Sequence, residues 1–188
     1  MALSIHQATI EDVAAIAAIH VAGWRGAYDG ILDPSYIESK TIDHRLNQWK
    51  EIFEKNESDI WIAKDEDKAV GFIGYGRLKT APPGTSKIRP QYSSEIYALY
   101  LLPDFYRQGI GTGLFRQAAV NLKTQKHTSL CLWVLDRNKR GCHFYEALGG
   151  QRIAKKIVEF GPTQAKEVCY GWRDISVLQT CEAKSDLL

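Results

Sequence analysis

The residues best suited to chemistry stand in one run, Leu101-Leu102-Pro103-Asp104-Phe105-Tyr106-Arg107-Gln108-Gly109-Ile110-Gly111-Thr112-Gly113. An apolar, strand-like segment leads into it and a helical pattern leads out. Glycines at 109 and 111 let the backbone approach a ligand closely, and the N–H groups of the first helical turn point outward without partners. With the positive end of the helix dipole behind it, such a nest suits a pyrophosphate. Two other phosphate-binding patterns fail. A dinucleotide fingerprint needs a third glycine where Leu114 stands, and a P-loop needs a Gly-Lys-Ser/Thr run that is absent.

Charge patterning agrees with a polyphosphate ligand. The 188 residues carry a net charge of +2, too little to argue for nucleic acid or a membrane surface. Residues 103–156 alone hold 10 Lys+Arg against 3 Asp+Glu, whereas residues 1–102 hold 11 against 14. One contiguous block is therefore basic in an otherwise slightly acidic chain. The five histidines, His6, His20, His44, His127 and His143, form no ligand pattern, and Cys131, Cys142, Cys169 and Cys181 form no CxxC pair, so no metal is expected. The apolar run Val13–Trp24 is too short to span a bilayer and follows Glu11 and Asp12, where a secretory signal would carry positive charge. A reduced, cytoplasmic chain is the simplest expectation.

The elements that must position these residues are legible. Leu3–His6 alternates as a strand. Thr9 and Asp12 form a capping-box pattern ahead of a helix running to about Tyr28 and stopping near Gly30. Pro34 and Asp43 open two further helices. Strands are predicted at Asp59–Lys64 and Ala69–Leu78 around a turn at Asp65-Glu66-Asp67. Thr80–Ser94, with three prolines, is a loop long enough to be functional. A strand at Glu95–Leu102, a helix at Gly109–Lys123, a strand at Leu130–Leu135 and a helix at Asn138–Leu148 follow. Strands at Gln151–Phe160 and Glu167–Arg173 then flank Gly161-Pro162. This order makes a mixed α/β domain with helices flanking one sheet.

At this point the chain resembles a known family. A strand, a proline and then a Gln/Arg-x-x-Gly-x-Gly/Ala turn is similar to the acetyl-CoA motif of the GNAT superfamily of N-acetyltransferases, with Tyr106 in the first position. A second stretch, Asn138-Lys139-Arg140-Gly141-Cys142-His143-Phe144-Tyr145-Glu146-Ala147-Leu148-Gly149-Gly150, is similar to the family's Asn-x-x-Ala-x-x-Phe-Tyr-x-x-x-Gly-Phe pattern. Here Gly141 replaces the alanine and Gly150 the last phenylalanine. The opening helix with Trp24, Tyr28, Gly30 and Tyr36 also looks like one bacterial branch.

The resemblance implies a mostly antiparallel, twisted sheet of about seven strands with helices on both faces. It implies one domain over residues 1–175 with a tail at 176–188. Acetyl-CoA would be the acetyl donor, bound by Leu101, Tyr106, Arg107, Gln108, Gly109, Ile110, Gly111, Thr112, Gly113 and Asn138. The Leu101 N–H, at a bulge just before the proline, would polarise the thioester carbonyl. Tyr145 would be the general acid and Glu95 the base, directly or through water. Arg107, Arg137, Lys139 and Arg140 are phosphate candidates, and Trp24 and Tyr28 candidates for the acceptor pocket, although four-residue spacing on one helix equally suits core packing. No cysteine has a base beside it, so transfer is expected directly in a ternary complex. The acceptor would be a primary amine on a small molecule, peptide or protein. The alternative is an acyl-CoA-binding sensor without turnover. A homodimer is compatible with the resemblance, and the sequence specifies no interface.

Overall fold

The capping box at the chain's start is formed as predicted. The Thr9 N–H donates to the Asp12 carboxylate at 2.9 Å, and Lys64 Nζ approaches the other Asp12 oxygen at 2.9 Å. They launch α1 (Val13–Tyr28), which ends where Gly30 takes a φ of +68°. Asp33 caps α2 (Pro34–Glu38) and Thr41 caps α3 (Ile42–Lys55), each through a side-chain oxygen accepting from the first turn. The computed structural model describes residues 3–83 and 91–180, so residues 84–90 of the predicted Thr80–Ser94 loop lie outside the described residues.

Seven strands form one sheet: β1 (Leu3–Gln7), β2 (Asp59–Asp65), β3 (Lys68–Arg77), β4 (Ser94–Leu101), β5 (Leu130–Leu135), β6 (Gln151–Phe160) and β7 (Thr163–Trp172). Their order is β1-β2-β3-β4-β5-β7-β6, and every pairing is antiparallel except β4 with β5. The last strand begins at Thr163 rather than Glu167. The tight Gly161-Pro162 connection pairs Phe160 with Thr163, and cross-strand pairing continues through residues whose polarity concealed it.

Helices cover both faces. α4 (Ile110–Thr124) lays Leu114, Phe115, Ala118 and Leu122 on one face, against Val70, Ile73 and Leu132. α1 and α3 cover the other, packing Val13, Ile16, Ile19 and Trp49 on Ile60, Ile62 and Phe72. α5 (Lys139–Ala147) follows β5. Beyond Ile175 the chain continues into α6 (Val177–Thr180), where Leu178 is buried in the α4-side core. Among the described residues, no helix is long and apolar enough to cross a membrane.

Burial works against ionisation of Asp12, but the Thr9 N–H and Lys64 outweigh it and hold the carboxyl below its ordinary 3.8. A carboxyl with a lowered folded-state pKa contributes fully above its unfolded value, and its contribution is lost as pH falls through the folded value. Asp12→Ala is expected to cost about 1 kcal/mol at pH 7 in urea unfolding. The gap between wild type and variant should close as pH falls below 3.8.

Candidate active site

The parallel pair is short. β4 and β5 are joined only over Ser94–Ile96 and Leu130–Leu132, and then they diverge. Leu102 N–H donates to Val70 O on the β3 side at 2.8 Å. Because successive N–H groups of a strand alternate in direction, those of Leu101 and Leu99 point to the opposite edge, into the gap that β5 leaves. The gap opens a cleft of about 880 Å³ walled by Ile96–Leu101 of β4 and Leu132–Val134 of β5. The turn before α4 and the inner face of α5 close its ends.

Tyr106, Arg107, Gly109, Gly111 and Thr112 line this cleft. Gly109 holds a φ of +78° and Arg107 one of +61°. Gly113 N–H donates to Gly109 O at 2.9 Å, the first bond of the helix. The N–H groups of Ile110, Gly111 and Thr112 therefore precede the ladder and lack helical acceptors. A Cβ at Gly111 would stand 3.4 Å from the Phe144 ring, so glycine keeps this approach open. Three residues of the run face elsewhere. Gln108 Nε2 turns back to Asp104 O, the Ile110 side chain is buried in the core, and Gly113 makes room for Ile5.

Two of the phosphate candidates are anchored to the end of α1. Arg137 Nη2 donates to Gly30 O at 3.2 Å, and Arg140 Nη2 to Gly26 O at 3.0 Å. Arg140 also lies 4.1 Å from the centre of the Tyr106 ring, at the cleft wall. Asn138 caps α5, its Oδ1 accepting from Gly141 N–H at 3.0 Å, and it faces the cleft as well. Glycine at 141 seats this amide, since a Cβ there would come within 2.9 Å of Asn138 Nδ2. Gly150 is explained similarly. A Cβ there would meet Trp172 at 2.5 Å, so the indole of β7 fills the space beside it.

Tyr145 stands in the cleft among Phe115, Phe144 and Tyr170, with ring centres 6.1, 5.3 and 5.9 Å away. Burial pushes its hydroxyl pKa up, and Tyr100 and Cys142 add to that. Tyr28 and Tyr100 line the same cleft and are pushed up in the same way, so all three hydroxyls stay protonated at neutral pH. Trp24 is not part of the cleft wall. It packs edge-on against Tyr28 at 4.5 Å, and both stack against the Leu32 and Ile37 cluster.

Glu95 is 5% exposed, and one oxygen accepts from Lys79 N–H at 2.9 Å and Thr80 N–H at 2.6 Å. It lines a separate pocket of about 300 Å³ with Trp49, Ile52 and Tyr97. Tyr97 is the wall between this pocket and the cleft. The irregularity in β4 also sits earlier than the resemblance implies. The register slips between Gly74 and Tyr75, leaving Tyr97 without a partner, while Leu101 pairs regularly with Gly71. Alternation conceals such a bulge, and with it the place of Tyr97 and Tyr100 in the cleft wall.

The family model described as "Acetyltransferase (GNAT) family" matches residues 24–149. An uncharacterized N-acetyltransferase of Bacillus subtilis is 31% identical over 179 residues, covering 95% of this chain and 97% of that one. The fold is similar to PaiA N-acetyltransferase from Thermoplasma acidophilum, solved with coenzyme A (TM-score 0.65, 21% identity, 89% of this chain and 98% of that one). It is also similar to yncA of Salmonella typhimurium, solved with acetyl-CoA (TM-score 0.66, 16% identity, both chains covered fully). The chain belongs to the GNAT acetyltransferase family.

Gly109 has open space around its missing Cβ, so its requirement is conformational. Gly109→Ala is expected to cost about 1–2 kcal/mol in denaturant unfolding, from the left-handed backbone alone. Gly109→Asn should cost less, because asparagine tolerates that region.

Proposed function

We propose that the cleft holds acetyl-CoA and that the enzyme moves its acetyl group directly to a primary amine. The observation that carries this reading is the divergence of β4 from β5 in line with the open helix start of α4. The N–H groups at Ile110, Gly111 and Thr112 would bind the pyrophosphate, and Arg107 supplies a nearby positive charge. The pantetheine arm would run along the exposed edge of β4, where strand-like N–H groups are available, with the Asn138 amide on the other side. Relatives of this fold solved with coenzyme A and acetyl-CoA support the assignment.

In the reaction the amine nitrogen attacks the thioester carbonyl, whose oxygen gathers charge near the Leu101 N–H. The carbon–sulfur bond then breaks, the Tyr145 hydroxyl gives its proton to the departing thiolate, and the proton shed by the attacking nitrogen leaves through water and restores the hydroxyl. A hydroxyl held protonated by burial suits that task. Cys142 is fully buried with its Sγ toward the Leu135 and Asp136 carbonyls, which supports direct transfer over an acetyl-cysteine intermediate. The free thiols at Cys131, Cys142 and Cys169 fit a reducing cytoplasm.

Glu95 takes a positioning role in this account. Its carboxylate ties the backbone after β3 to β4 and lies outside the cleft. The ammonium therefore loses its proton to water before attack. With a reference pKa near about 10.4, the neutral amine grows about tenfold per pH unit.

Three measurements test this. Tyr145→Phe should lower kcat by about tenfold to a hundredfold while leaving acetyl-CoA affinity in calorimetry nearly intact. Unchanged turnover would remove the assignment. The rate kcat/KM should rise steadily between pH 6 and about pH 9. Glu95→Gln, which can still accept hydrogen bonds, should keep most turnover and the same pH profile, whereas Glu95→Ala should lose thermal stability.

A further inference from the structure

A buried cation stands behind Tyr28 and Tyr100 of the cleft wall, without an opposing charge among the described residues. Arg45 of α3 is 7% exposed, and among the described residues no carboxylate forms an ion pair with it. Its guanidinium lies 5.0 Å from the Trp24 ring centre. Of its five N–H donors, one at Nη1 reaches Gln48 Oε1 at 2.7 Å. Arg45 Nε and Trp24 Nε1 are both buried without a hydrogen-bond partner. Two unsatisfied donors thus meet in one place, beside a full positive charge.

Among the described residues, the surroundings offer no neutralisation. On α1, burial and the Arg45 charge push the His20 pKa down to about 3, so it is neutral. The other groups whose electrostatics reach Arg45 are the hydroxyls of Tyr100, Tyr36 and Tyr28, and none of them is a carboxylate. Glu167, which bears on Tyr28 and Tyr100, is paired with Lys156 at 3.2 Å. Removing a guanidinium from water is costly unless a partner compensates. Stacking on Trp24 returns only part of that.

The position connects this charge to the reaction. Tyr28 and Tyr100 line the cleft on one side and feel Arg45 on the other. Tyr28 lines the cleft, Trp24 packs behind it at 4.5 Å, and Arg45 lies 5.0 Å from the Trp24 ring centre, so a chain of contacts leads from the cleft to the guanidinium. We propose that Arg45 and Trp24 Nε1 form a carboxylate subsite, and that the amine acetylated by this enzyme carries a carboxylate. This rests on the acetyl-transfer reading above. The planar fork of Arg45 suits a carboxylate geometrically, with the Trp24 N–H as an added donor.

The test uses the full-length protein with coenzyme A bound. The probes are glycine, L-lysine, L-methionine and 4-aminobutyrate, each beside its primary amide. The Arg45 Nε–H resonance is followed by ¹⁵N NMR and assigned by its loss in Arg45→Lys. At least one acid should move it while its amide does not. With acetyl-CoA, kcat/KM for that acid should exceed that for its amide by about tenfold or more. Arg45→Lys should bring the two within about threefold, mainly through KM for the acid. Equal effects of acids and amides, or an Arg45 signal unmoved by every acid, overturn the subsite. A shift without thiol release from any probe supports the subsite and counts against the acetyl-transfer reading alone.

Discussion

The structure depends on one interruption of hydrogen bonding. After three paired residues, β4 and β5 part, and the strand edge from Tyr97 to Leu101 loses its neighbour on that side. An unpaired edge inside a domain normally carries a cost, because buried N–H groups want acceptors. Here the gap is walled by α4 and α5, and it becomes a cleft whose backbone donors await a ligand. The proline at 103 and the left-handed backbone at Arg107 and Gly109 then turn the chain so that α4 begins at the mouth of that gap. The open helix start, the donor-lined strand and the tyrosine wall all face this divergence.

The far end of the cleft is built from aromatic rings and one arginine. Tyr28, Tyr100 and Tyr145 bring hydroxyls into a largely apolar setting, where burial favours the protonated form of each. Each is thereby held as a neutral hydroxyl at neutral pH. The same setting makes the charge on Arg45 expensive, which is why its unsatisfied donors carry meaning. Low polarity thus keeps the hydroxyls protonated and leaves the Arg45 charge poorly compensated.

Much of this was legible in the sequence, for identifiable reasons. Glycines at 109 and 111 announce a backbone requirement, and Asn138 announces a cap, because those residue types do their work locally. Helix starts are marked by caps and periodicity in the same way, whereas the start of β7 at Thr163 is hidden by polar residues. Other features were hidden because they arise from pairing across the fold. The slip opposite Gly74 cannot be read from β4, whose residues look regularly alternating. Gly150 looked like a lost aromatic until Trp172, more than twenty residues later, was found filling the space. Arg45 reads as an ordinary exposed charge on an amphipathic helix, and only the packing of α3 on α1 buries it. Glu95 carried the expected carboxylate, and only the fold reveals that its oxygen is engaged by Lys79 and Thr80.

The central claim is that the cleft between β4 and β5 is where acetyl-CoA meets an amine. Thiol release from acetyl-CoA, followed with purified protein against pooled amino acids, polyamines, aminoglycosides and N-terminal peptides, tests it most directly. The account predicts release above the water background with at least one pool, the amino acids foremost. Tight binding of acetyl-CoA with no release from any pool would contradict it.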